Sequence, residues 1–107
     1  MKIVAVTSCA TGIAHSYMAA EAITKAAKKA GYGVRVEIQG AMGLENKLSQ
    51  AQIDDADVVV LSNDVGLVEP GRFDASSDKI VRIPPHEVIT HPERVVESAR
   101  RITGEAS

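Results

Sequence analysis

Residues 2–31, KIVAVTSCATGIAHSYMAAEAITKAAKKAG, decide the fold. KIVAVT (2–7) is a short β-branched run of the kind buried in a parallel sheet. SCATGIAHS follows, small and polar, with Gly12 inside it. Residues 13–30 are rich in Ala, Glu, Lys and Met, all good helix formers. Glu21, Lys25, Lys28 and Lys29 fall on one helical face, and Ala19, Ala22, Ile23, Ala26 and Ala30 on another. Glu21 and Lys25 add a favourable i,i+4 pair. Gly31 stands where a helix needs its C′ residue. A buried strand that turns directly into an amphipathic helix is the opening half of a βαβ unit.

The rest of the chain extends this pattern. GVRVEIQ (33–39) alternates strictly, with Val34, Val36 and Ile38 one way and Arg35, Glu37 and Gln39 the other. It reads as a half-exposed strand at a sheet edge. Gly40 and Gly43 bound a loop, with a helical turn expected around Leu44–Leu48. Ser49 is a candidate N-cap for a short helix ending near Ala56. DVVVLSN (57–63) is the most hydrophobic strand and should be central, whereas residues 64–78 read as loop. KIVRI (79–83) is a last short strand. Pro84 and Pro85 start a helical turn, and Pro92 starts a final helix with Val95, Val96, Ala99 and Ile102 as its apolar stripe. The expected fold is three-layer α/β/α: a four-stranded parallel sheet with right-handed crossovers and helices on both faces.

Length and composition agree. A chain of 107 residues suits one domain, here spanning 1–107. With 45% apolar and 24% charged residues it is neither disordered, collagen-like nor a disulfide scaffold. Aromatics are only 3%, so Val, Ile and Ala must build the core. The net charge of −2 leaves no broad basic field, which argues against nucleic-acid binding. The single cysteine, Cys9, cannot close an internal disulfide and fits a cytoplasmic setting. No stretch approaches the ~20 apolar residues of a membrane span.

In open α/β sheets ligands bind beyond the carboxyl ends of the strands, where the strand order reverses. With the first strand central, that point is the connection holding Cys9. The amides of residues 11–16 can converge on one spot at the positive end of the first helix, an arrangement suited to phosphate. The same field favours thiolate over thiol, and a thiolate in an anion cradle can accept a phosphoryl group. His15 could add a cation at the loop mouth, and Thr11 and Ser16 offer hydroxyls. The plainer reading stands beside this one: a lone cysteine after a buried strand is commonly an inert small hydrophobe, and a first-turn histidine a surface residue. Cys9 and His15 supply two ligands, too few for a metal site. Tyr17, Met18, Met42 and Phe73 are candidate apolar contacts for a partner.

CATGIAHSYMAAEA (9–22) closely resembles the active-site signature of fructose-family enzyme IIB domains of the bacterial phosphoenolpyruvate-dependent sugar phosphotransferase system. That signature runs Cys-Pro-Thr-Gly-Ile-Ala-His-Thr and then Met-Ala-Ala-Glu-Ala. The likeness continues through VRVEIQGAMGLENKLS, similar to the family's Glu-Thr-Gln-Gly stretch with its Asn-x-Leu, and through DADVVVLSNDV and GRFD. It covers roughly residues 2–74.

The resemblance implies a phosphoryl relay without a cofactor. Enzyme IIA donates from a phosphohistidine to Cys9, whose phosphocysteine is held by a loop of Ala10, Thr11, Gly12, Ile13, Ala14, His15 and Ser16. Membrane enzyme IIC then presents the sugar, fructose by family default, which leaves as its phosphate. The domain would work as a cytoplasmic monomer, meeting the membrane through IIC. The strand order implied is 2-1-3-4. Ala10 replaces the family's proline, which leaves the loop less stiff. Ser16 replaces threonine and keeps the hydroxyl. Asp74, Ala75 and Ser76 stand where Gly-Lys usually follows Arg-Phe, which touches partner contacts more than chemistry. A competing reading is a low-molecular-weight-phosphatase-like hydrolase. Its Cys-x5-Arg loop grips phosphate through a bidentate guanidinium, and here His15 occupies the arginine's place.

Overall fold

The computed structural model describes residues 1–8, 13–40, 43–63, 66–67 and 70–104. The elements run β1 (Lys2–Ser8), α1 (Ile13–Lys29), β2 (Gly33–Gly40), β3 (Gly43–Glu45), α2 (Gln50–Asp55), β4 (Val58–Asn63), a 3-10 helical segment (Pro70–Lys79), β5 (Ile80–Arg82), α3 (Pro85–Thr90) and α4 (Glu93–Thr103). They build one five-stranded sheet in the order β3-β2-β1-β4-β5. Strands β2, β1, β4 and β5 are parallel, in the spatial order that the family resemblance implied.

The fifth strand corrects the four-stranded expectation. Gly43–Glu45 runs antiparallel to β2, pairing Ile38 with Glu45, Gln39 with Leu44 and Gly40 with Gly43. The helical turn expected at Leu44–Leu48 is therefore absent, and β2 is not a full edge. Asn46 leaves the strand at a positive φ of 55°. The stretch 70–79, read as loop, closes instead into 3-10 turns.

Alternation along the strands separates two cores. Ile3 and Ala5 of β1 and Val58 and Val60 of β4 face α1, α3 and α4, where they meet Ala19, Ile23, Ala27, Val88, Val95 and Ala99. Val4, Val6, Val59 and Leu61 face the other way, onto Leu48, Ile53 and Phe73. The apolar stripe of α1 is centred one residue from the expected one: Ala27 is fully buried, while Ala26 and Ala30 are half-buried. Their spacing of four keeps Ala19, Ile23 and Ala27 stacked on the sheet.

The helix ends follow local chemistry. At Gly31, with φ 81°, the amides of Gly31 and Tyr32 return to the carbonyls of Lys28 and Ala27, closing α1 as a Schellman motif. Ser49 caps α2 as expected, within a full capping box. Its hydroxyl accepts from the Gln52 amide at 3.1 Å, and the Gln52 side chain accepts from the Ser49 amide at 3.0 Å. At the other end of α2, Lys79 Nζ donates to the carbonyls of Asp54 and Ala56.

Candidate functional site

The carboxyl ends of β2, β1 and β4 stand side by side: Ser8 pairs with Gln39 on one flank and Asn63 on the other. The order reverses at β1, the switch point at which open α/β sheets bind ligands. The chain leaves β1 at Ser8 and enters α1 at Ile13. Cys9, Ala10, Thr11 and Gly12, four of the predicted site residues, lie outside the described residues, as does Met42. Ile13 and Ala14 open the helix backbone, and His15 is half-buried in its first turn.

No acidic residue occupies the first turn of α1 or of α2, whereas Glu87 and Glu93 occupy those of α3 and α4. Helices commonly place carboxylates there to meet the positive dipole end.

Ser16 is only 1% exposed, and among the described residues its hydroxyl has no hydrogen-bond partner. The same holds for Thr7 and Ser62, which pair across β1 and β4 near the carboxyl end of the sheet. A buried hydroxyl without a partner costs about 1–3 kcal/mol, so this end of the molecule carries polarity that stability alone does not favour.

Glu37 and Gln39, placed on a solvent face by the alternation of β2, are both buried. The Glu37 carboxylate is fully enclosed and accepts four hydrogen bonds. Arg72 donates to it with both terminal nitrogens at 2.8 Å, the Gln39 side chain donates at 2.8 Å, and the Leu48 amide donates at 2.8 Å. Arg72 also donates to the Leu48 carbonyl at 3.0 Å and lies over the Phe73 ring, 5.1 Å from its centre. Burial pushes the Glu37 carboxyl up, but the bonds from Arg72, Gln39 and the Leu48 amide outweigh it and hold the group below its ordinary range. This clamp is the feature that sequence reasoning missed. The residues were visible in the Glu-x-Gln and Arg-Phe stretches, but their union across 35 positions was not.

Phe73 is 3% exposed and belongs to the core, so it is not a contact residue for a partner. Tyr17 and Met18 are exposed at 39% and 52%, on the turn of α1 that follows Ser16. A groove of about 760 Å³ between α1 and α4 begins at Met18 and runs along Ala22, Ala26 and Val96.

The model of the family described as "PTS system, Lactose/Cellobiose specific IIB subunit" matches residues 4–98. The chain belongs to this family of phosphotransferase-system IIB proteins. Among its members this IIB protein is of the fructose type. It is 42% identical over 95 residues to the PTS system fructose-like EIIB component 2 of Escherichia coli strain K12, covering 89% of this chain and 88% of that one. It is 38% identical over 98 residues to the PTS system fructose-specific EIIABC component of Bacillus subtilis strain 168, covering 92% of this chain and 15% of that one. The crystal structure of a predicted fructose-specific IIB from Escherichia coli superposes with a TM-score of 0.88 at 36% identity, covering 99% of this chain and 92% of that one. The IIB family has its role in sugar phosphotransfer. The EIIABC relative carries A, B and C components in one protein, so the partners of a IIB are other components of the system. Among the described residues no helix is long and apolar enough to cross a membrane.

Proposed function

We propose that this IIB protein is a phosphocarrier in which Cys9 takes a phosphoryl group from a phosphohistidine of enzyme IIA and passes it to a sugar held by membrane enzyme IIC. In the first step the S–P bond forms as the P–N bond breaks, and the thiol proton ends on the released imidazole. In the second, a sugar hydroxyl attacks phosphorus, the O–P bond forms as the S–P bond breaks, and the sugar's proton returns to the released sulfur. The observation that carries the reading is the position of β1. It is the central strand at which the order reverses, and Cys9 is the next residue after it.

The acid-free first turn of α1 and the buried Ser16 hydroxyl, unpartnered among the described residues, support an anion there. Amides from Ala10 to Ser16 are the proposed cradle, with Thr11, His15 and Ser16 adding side-chain contacts. Without an arginine among residues 9–16 the grip is looser than in a phosphatase, which suits a carrier that must release its cargo. Fructose is the proposed sugar, from the names of the relatives. The chain would act as a single IIB domain on the cytoplasmic side, next to IIC.

Incubation with phosphoenolpyruvate, enzyme I, the histidine phosphocarrier and a matched IIA, followed by peptide mass spectrometry, tests this. A single phosphoryl group on the peptide bearing Cys9 is expected. A label on any other residue overturns the proposal.

A further inference from the structure

Arg72, Glu37 and Gln39 form a chain of contacts that ends beside the candidate site. Arg72 comes from the 3-10 segment, Glu37 and Gln39 from β2, and Leu48 from the stretch after β3; all converge on one carboxylate. Its four acceptor positions are all used, so neither carboxylate oxygen is left to turn elsewhere. The amide of Gln39 is thereby fixed with its nitrogen toward Glu37. Gln39 is 4% exposed and lies opposite Ser8, the residue before Cys9.

A buried ion pair of this kind is a poor device for stability alone, because apolar residues of similar volume commonly serve as well or better. What the fork gives is geometry: two parallel bonds that fix distance and angle together. We infer that Glu37, gripped by Arg72, is a positioning residue for phosphoryl transfer, holding Gln39 and the segments around Leu48 and Arg72 in register with the end of β1. The inference rests on the proposed phosphocysteine relay. Transfer between two proteins is sensitive to small misplacements of the reacting group, so loosening this clamp should reach the rate before it reaches the fold.

The test uses the full chain and measures transfer of labelled phosphate from phosphorylated IIA. Gln39→Leu removes the oriented amide and leaves the Arg72–Glu37 fork. Arg72→Lys keeps the positive charge and loses the fork. Rates are expressed per folded molecule, with the folded fraction read from amide NMR spectra. Both variants are expected to slow transfer at saturating IIA by about tenfold or more, with KM within about twofold of the wild type. A merely structural role would lower the melting temperature and leave the rate per folded molecule unchanged. Wild-type rates in folded Gln39→Leu, or in folded Arg72→Lys, would overturn the inference. Absence of label on Cys9 in the wild type would instead overturn the relay itself, so the two failures are distinguishable.

Discussion

Replacing Arg72 by leucine isolates a buried charge. The Glu37 carboxylate loses the two bonds from a charged donor and keeps two from neutral donors, Gln39 and the Leu48 amide. Removing one partner of such a pair costs about 3–5 kcal/mol. A domain of this size has roughly 5–15 kcal/mol in total. At about 4–5 °C per kcal/mol, the melting temperature should fall by roughly 12–25 °C. The pH profile carries the sharper signature. In the wild type the folded carboxyl titrates below its unfolded value. Its contribution is therefore complete above the ordinary carboxylate range and lost as pH falls through the depressed folded value, below about 4.3. In Arg72→Leu the guanidinium no longer opposes burial, and the folded value should rise from its depressed position. The penalty should then be full near neutrality and shrink as pH falls through the carboxylate range. Thermal and urea denaturation followed by circular dichroism, at several pH values from about 3 to 7, measure the loss and its pH profile. A loss below about 1 kcal/mol at neutral pH, or a variant curve parallel to the wild type, would refute the reasoning.

Ser49→Ala opens the capping box and should cost about 1 kcal/mol in urea denaturation, leaving transfer intact. Ile23→Ala empties a fully buried site between α1 and the sheet, and a loss of about 2–5 kcal/mol is expected in the same assay. Cys9→Ser should retain the fold by circular dichroism and abolish transfer from phosphorylated IIA; residual relay would contradict the proposed function. Inorganic phosphate should bind the unmodified protein in the millimolar range, about 4 kcal/mol. The amide shifts should centre on residues 10–16, and His15→Ala should weaken the binding; shifts confined to the α1–α4 groove would move the anion elsewhere.

The parallel core of the sheet was legible because its strands obey local rules: β-branched runs with helices between them leave few topologies open. The caps at Gly31 and Ser49 were legible for the same reason, each written within a few residues. β3 was not, since Gly43–Glu45 is too short to show a period and exists only because β2 offers it an edge. Glu37 and Gln39 looked solvent-facing because alternation records polarity, whereas their burial depends on Arg72, far along the chain. Phe73 misled in the opposite sense: expected as an apolar contact for a partner, it is buried in the core with Leu48, Ile53 and Leu61. Of the site, the strand–turn–helix frame was legible in the sequence, while the burial of Ser16 needed the packing of α1.

The short antiparallel strand β3 also bears on how the molecule lives among its own copies. An open sheet edge is a template on which another chain can add a strand, and long exposed edges invite aggregation. Here β3 occupies the outer side of β2 from Ile38 to Gly40, leaving the earlier part of the strand open, where Arg35 projects into solvent. The opposite edge, β5, offers only three residues and ends in exposed Arg82. One border is shielded by a folded-back segment and a charge, the other by brevity and a charge. The sheet is thus guarded against lateral growth at both margins, by different means on each side.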